Sequence, residues 1–307
     1  MKNGATPNLG LVCITASNEV RFRTTTRTQL QRLGEAEQAT RLTEIYRHNL
    51  ERLGHAIRFC LARRIRLYRI SSDIFPFADT PLGREILLGF AEELRQTGQR
   101  ALAAGMRLVF HPDQFVVLSS DSPSVVANSI TILEMHAAIM DLLGLSQSAW
   151  ATIEIHGGKA QRAVQLVEVI KGLPASIRNR LALENDENAY SAVEILAVCQ
   201  AAGVPMVFDA HHHVVHAGLD SYEHPSVAQL LEAARATWPQ PEWQLVHISN
   251  GREHFGDRRH HDLITTMPSV YRLAPWIEVE AKQKEVAIAK LQQEWLGLPA
   301  PAPWPAN

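Results

Sequence analysis

Six short apolar runs in this chain end on side chains that bind metals. They are LVFHP, TIEIHGG, LALEND, MVFDAHHH, LVHIS and IEVEAK, carrying His111, His156, Glu184, Asp209, His247 and Glu280. One buried strand that stops on a His or carboxylate is ordinary. Six in series, with helical stretches between most of them, imply strand ends that converge on one rim. Three imidazoles and three carboxylates there form a mixed N/O ligand set for divalent cations such as Mn²⁺, Zn²⁺ or Fe²⁺. No thiolate joins the set, which argues against a structural zinc. The chain has 14 histidines, nine of them between His211 and His261. A run of surface imidazoles is the bland alternative, and clustering at strand ends favours ligation.

Spacing leaves two details open. In an extended run His211 and His213 would share the face of Asp209 while His212 points away, and a turn after the strand would change that. His260 and His261 lie in a basic loop, where they are either solvent-exposed or able to reach the same rim. A multi-metal site of this kind serves in-line displacement at phosphorus, with hydroxide generated near neutral pH. The same ligand types serve aldose–ketose isomerisation, so ligand chemistry alone does not separate the two.

The elements that must position these groups alternate from residue 8 almost to the end. Strands are expected at 8–15, 65–71, 107–112, 151–156, 181–186, 206–213, 243–249 and 276–282. Helices are expected at 37–62, 84–104, from Pro123, 160–170, 191–202, 225–236 and 283–295, with 250–275 mostly loop. Eight strands with intervening helices mean parallel strands buried on both faces. The fold class is α/β, an eight-stranded (β/α)₈ TIM barrel with its site at the C-terminal rim, rather than an open doubly wound sheet. No linker divides residues 1–307, so a single domain is expected, with its core at 8–295 and a Pro/Ala-rich tail at 298–307.

Composition bounds the partners. With 30 basic and 32 acidic residues the net charge is −2, too little for nucleic-acid binding through bulk charge. Local basic stretches at 21–32, 58–69 and 256–261 and bound cations leave a phosphate site open. The three cysteines, Cys13, Cys60 and Cys199, form no CxxC. Cys13 and Cys60 sit in apolar surroundings and read as core residues. With no disulfide framework, no signal pattern and no apolar run of membrane-spanning length, the cytoplasm is the expected compartment, without a membrane or an obligatory protein partner.

The motifs HPDQF (111–115), IHGG (155–158), LENDE (183–187), FDAHHH (208–213), VHIS (246–249) and VEAKQKE (279–285) together resemble the UV damage endonucleases. RISSDIFPFA (69–78) and FRTTT (22–26) fit the same pattern, so the resemblance runs from about residue 9 to 285. It implies a (β/α)₈ barrel similar to endonuclease IV and two or three divalent ions, with Mn²⁺ first choice. The implied activity is hydrolysis of the phosphodiester 5′ of UV photoproducts in duplex DNA, and also incision at abasic sites. The implied ligands are His111, His156, Glu184, Asp209, His212, His247, His260 and Glu280, which picks His212 from its run. Of these, Glu184, Asp209, His247 and Glu280 would hold the catalytic core.

The family places a Gln–Tyr pair after its first ligand His as a lesion probe; here the pair is Gln114 and Phe115. Phe keeps the ring and loses the hydroxyl, and the bland alternative is a core ring. Two further departures bear on the ions. Thr80 stands where the family has a His, with Asp79 beside it as an alternative oxygen ligand. Leu245 stands where the family can carry a lysine. Three functions are therefore weighed: a DNA repair endonuclease, a sugar isomerase or epimerase on the same barrel, and a non-hydrolytic binder of damaged DNA.

Overall fold

The computed structural model describes residues 6–113 and 115–300. Gln114 and residues 301–307 of the tail lie outside the described residues. Eight strands close into a parallel barrel in sequence order: β1 (Asn8–Val12), β2 (Leu67–Ile70), β3 (Arg107–Phe110), β4 (Ile153–His156), β5 (Leu181–Glu184), β6 (Met206–Asp209), β7 (Leu245–Ile248) and β8 (Trp276–Val279). β8 pairs back onto β1, with Asn8 beside Trp276. This is the TIM barrel expected from the alternating pattern.

The strands are shorter than the apolar runs, four or five residues each. Alternation along them splits the core into two layers. Ile153, Ile155, Leu183, Phe208, Val246 and Ile277 face outward and pack with helix residues such as Leu42 and Ile195. Leu67, Val109, Ala182, Val207, Leu245 and Trp276 form a separate apolar cluster inside the barrel. Arg107 closes its floor, with its guanidinium donating to the carbonyls of Ala149, Trp150 and Trp243.

Local signals set the helix ends. Ser191 and Glu194 form a capping box at the start of Ala192–Ala202, and Gly203 ends that helix at φ +71°, a conformation that glycine adopts without strain. The expected helix 84–104 is two helices, Pro81–Leu88 and Ala91–Ala103, broken where Gly89 and Phe90 turn so that Phe90 is buried. Thr80 caps the first of them, accepting from the Gly83 amide.

The expectation that no apolar run reaches membrane-spanning length needs correction. Helix Pro123–Leu142 has 20 residues and is long and apolar enough by composition. Here its inner face, including Leu133, Ala137 and Met140, is buried.

His136 on that helix yields a stability prediction. Its ring stacks edge-on against Phe110 and Nδ1 donates to the Ile132 carbonyl. Burial pushes its pKa down to about 4 from 6.5. Between those values the unfolded chain takes up a proton that the native chain refuses. Stability is therefore lost as pH falls from 6.5 toward 4, on the order of 3 kcal/mol in all. Urea melts across this range should show a shallower acid loss for His136→Leu than for the parent.

Candidate metal centre

Strand register brings the candidate ligands side by side. His156 on β4 pairs with Glu184 on β5, Asp209 on β6 with His247 on β7, and His247 with Glu278 on β8. His111 and Glu280 follow β3 and β8 directly.

Glu184 is the hub. Its Oε2 lies 2.9 Å from His111 Nε2 and 3.6 Å from His156 Nε2. Its Oε1 lies 3.0 Å from His247 Nδ1 and 3.3 Å from His212 Nδ1. Burial alone would raise its pKa, but His247 and His156 outweigh that and hold the carboxyl well below the usual range. Conversely, burial opposes charge on His247 and His212. Glu184 and Glu278 raise His247, and Asp209 and Glu184 raise His212, both well above an ordinary imidazole.

The run 210–216 is not extended. Asp209 is the N-cap of a short helix, Ala210–His216, and its Oδ1 accepts from the His212 amide at 2.8 Å. The helical turn sends the three rings apart. His211 bonds Tyr222 Oη and the Asp257 carbonyl, and His213 bonds Ser226 Oγ. His212 alone faces Glu184. The alternation that paired His211 and His213 with Asp209 fails because the strand ends at Asp209.

His260 also reaches the rim, with Nδ1 3.8 Å from Glu280 Oε2 and its ring 6.4 Å from that of His212. All eight sequence-nominated ligands thus gather around one mouth. Asp79 does not join them; it lines a separate cleft with Thr24, Asp73 and Phe77. Leu245 is buried in the apolar cluster inside the barrel, where it offers no ligand.

Phe115 is no core ring. It is 73% exposed and edges a 370 Å³ cleft that His111, His156 and Arg69 also line. Cys13 opens onto the same cleft instead of lying in the core, at φ +61°.

The site fits a divalent ion on its own chemistry. Ligand atoms of Glu184, Asp209 and His247 lie within 4.8 Å of one another, as do those of His111, His156 and Glu184. Among the described residues, Glu184 Oε1, Asp209 Oδ2 and His247 Nδ1 are buried and make no hydrogen bond. Oε1 and Nδ1 meet only as an ion pair at 3.0 Å, and Asp209 Oδ2 has no donor, so a cation held among the three would satisfy buried acceptors that otherwise cost roughly 1–3 kcal/mol each.

Sequence reasoning missed three buried groups beneath the rim. Glu154, Glu278 and Arg69 are buried on β4, β8 and β2. Arg69 bridges Glu278 Oε2 at 2.8 Å and Glu280 Oε1 at 2.7 Å. A signal existed: Glu154 and Glu278 each precede a nominated ligand by two residues, the strand repeat.

Comparison with known proteins agrees with this geometry. Residues 7–299 match the UV-endonuclease UvdE family. The chain belongs to that family. It is 57% identical over 298 residues to the UV DNA damage endonuclease of Nostoc sp. strain PCC 7120, covering 96% of this chain and 92% of that protein. The UV DNA damage endonuclease of Deinococcus radiodurans is 49% identical over 291 residues, covering 94% and 95%. The crystal structure of SacUVDE superposes with a TM-score of 0.78 at 25% identity, covering 95% of this chain and 100% of that one.

Proposed function

We propose that this protein is a metal-dependent DNA repair endonuclease. Its reaction is hydrolysis of the phosphodiester 5′ of UV photoproducts, and also incision at abasic sites, in the cytoplasm and as a single barrel domain. The observation that carries this reading is the buried trio Glu184, Asp209 and His247, whose ligand atoms converge within 4.8 Å at the mouth of the barrel. Glu184, Asp209, His247 and Glu280 would hold the core ions, His111 and His156 an outer one, with His212 and His260 completing the set. Two or three ions, Mn²⁺ first among candidates, suit these N and O donors. Once bound, such ions supply hydroxide near neutral pH and offset charge on the attacking and leaving oxygens.

The chain's own groups do the rest. The cap bond to His212 occupies Asp209 Oδ1 and leaves the buried Oδ2 without a hydrogen bond. Glu184 reaches imidazoles on both sides and can bridge two ions. Phe115 stands exposed beside His111, where its ring can fill the space left by displaced bases. Membership of the UV-endonuclease family favours DNA over sugar chemistry.

An end-labelled, irradiated duplex tests the reading. Incision with Mn²⁺, its loss in excess EDTA and its return on adding Mn²⁺ are expected. Lesion binding without cleavage in any divalent metal would instead leave a damage binder. Phe115→Ala should lower incision by about 1–3 kcal/mol of lost stacking, some 5–150-fold, mainly through weaker lesion binding. Gel shifts on damaged and undamaged duplex measure this; equal affinities of mutant and parent for the lesion would remove Phe115 from recognition.

A further inference from the structure

The buried layer beneath the rim has its own logic. His247 is fully buried, and its two nitrogens face different company. Nδ1 looks up toward Glu184 Oε1 at 3.0 Å and Glu280 Oε1 at 3.6 Å. Nε2 looks down toward Glu154 Oε2 at 3.0 Å and Glu278 Oε2 at 3.1 Å. A neutral imidazole carries one N–H and one lone pair, and a metal takes the lone pair. Carboxylates only accept, so whichever nitrogen they hold keeps the proton.

We infer that Glu154 is a positioning residue, one that holds the proton of His247 on Nε2 and so presents Nδ1 to the metal. This rests on the reading that His247 is a ligand. Three observations favour Glu154 over Glu278 for the task. Glu154 Oε2 accepts from Nε2–H with full hydrogen-bond geometry. Its other oxygen is anchored by the Thr152 hydroxyl at 2.6 Å, which fixes the carboxylate's orientation. Glu278 is instead claimed by the Arg69 guanidinium through the same oxygen that nears His247. The chain Thr152–Glu154–His247–metal is thus a carboxylate–histidine relay of the kind that orients metal ligands.

Glu154, His247 and Glu278 also bring ligand atoms within 4.8 Å of one another. A second ion there is disfavoured. Arg69 already supplies the positive charge on Glu278.

The test is metal binding by the purified chain without DNA. Free Mn²⁺ is followed by electron paramagnetic resonance, and the tautomer of His247 by long-range ¹H–¹⁵N NMR on Zn²⁺-loaded protein. In the parent, the metal-shifted nitrogen should be Nδ1, with the proton on Nε2. Glu154→Gln removes the negative charge that retains this proton, whichever way the amide turns. It should weaken Mn²⁺ binding about 10–100-fold while far-UV circular dichroism is unchanged.

If that variant does not fold, Thr152→Val decides. It frees one carboxylate oxygen and should weaken binding by several-fold in the same direction. Unchanged Mn²⁺ affinity in the folded variant, or coordination through Nε2 in the parent, overturns the role of Glu154 and leaves the metal centre standing. A parent chain that binds no Mn²⁺ overturns the metal centre itself, and this inference with it.

Discussion

Glu184→Ala should lower Mn²⁺-dependent incision by roughly 10³-fold or more, the scale of removing a group that anchors transition-state charge. Four imidazoles converge on this one carboxylate: His111, His156, His212 and His247. Its loss removes one oxygen from each of the two candidate clusters that share it. The fold should survive, because the imidazoles can shed their protons once the carboxylate that favours their charge is gone. Circular dichroism should therefore match the parent while Mn²⁺ binding and incision both collapse. A variant that cuts irradiated duplex within tenfold of the parent would mean that Glu184 is a structural counter-ion and the ions sit elsewhere.

Arg69→Met should be the most destabilising of the single changes considered. Arg69 joins Glu278 and Glu280 in a buried bridge, and both carboxyls keep depressed pKa values chiefly because its charge opposes the cost of burial. Breaking a buried pair by deleting one partner costs about 3–5 kcal/mol, because a charge is left without compensation. For a chain of this size the melting temperature should fall by roughly 10 °C. Added Mn²⁺ should recover part of the loss, since Glu280 is a proposed ligand and a cation there replaces some of the missing charge. Differential scanning calorimetry with and without Mn²⁺ measures both effects. A melting temperature within about 2 °C of the parent would show that the two carboxyls take protons and need no counter-ion.

Three clefts surround the mouth: one of 370 Å³ beside His111 and Arg69, one of 240 Å³ below Phe115, and one of 460 Å³ beside His156 and Lys159. They leave the rim open rather than enclosed. A sugar-binding barrel would instead close over its small ligand. The near-neutral chain therefore need not bind DNA through bulk charge, because the ions at the mouth would supply the local attraction.

Much of this protein was legible in its sequence. Apolar runs separated by helical stretches imply parallel strands, and metal-binding side chains at six strand ends favour the closed barrel over an open sheet, which rarely gathers that many strand ends in one crevice. The candidate rim residues were legible for the same reason. In such a barrel every strand end points one way, so a polar residue that closes an apolar run must face the mouth. His111, His156, Glu184, Asp209, His247 and Glu280 all do.

Tertiary structure decided what period and spacing leave open. The choice of His212 over its neighbours depends on where β6 stops, because the Asp209 cap converts an expected strand into a helix and rotates each ring by about 100°. The exposure of Phe115 depends on the path of its loop. The layer of Arg69, Glu154 and Glu278 was invisible as a unit, since isolated charges inside apolar strands carry no mark of their partners. Only closure of the sheet brings β2, β4, β7 and β8 together, and only then does Arg69 meet Glu278 and His247 meet Glu154 under the candidate metal site, offsetting the cost of burying those carboxylates.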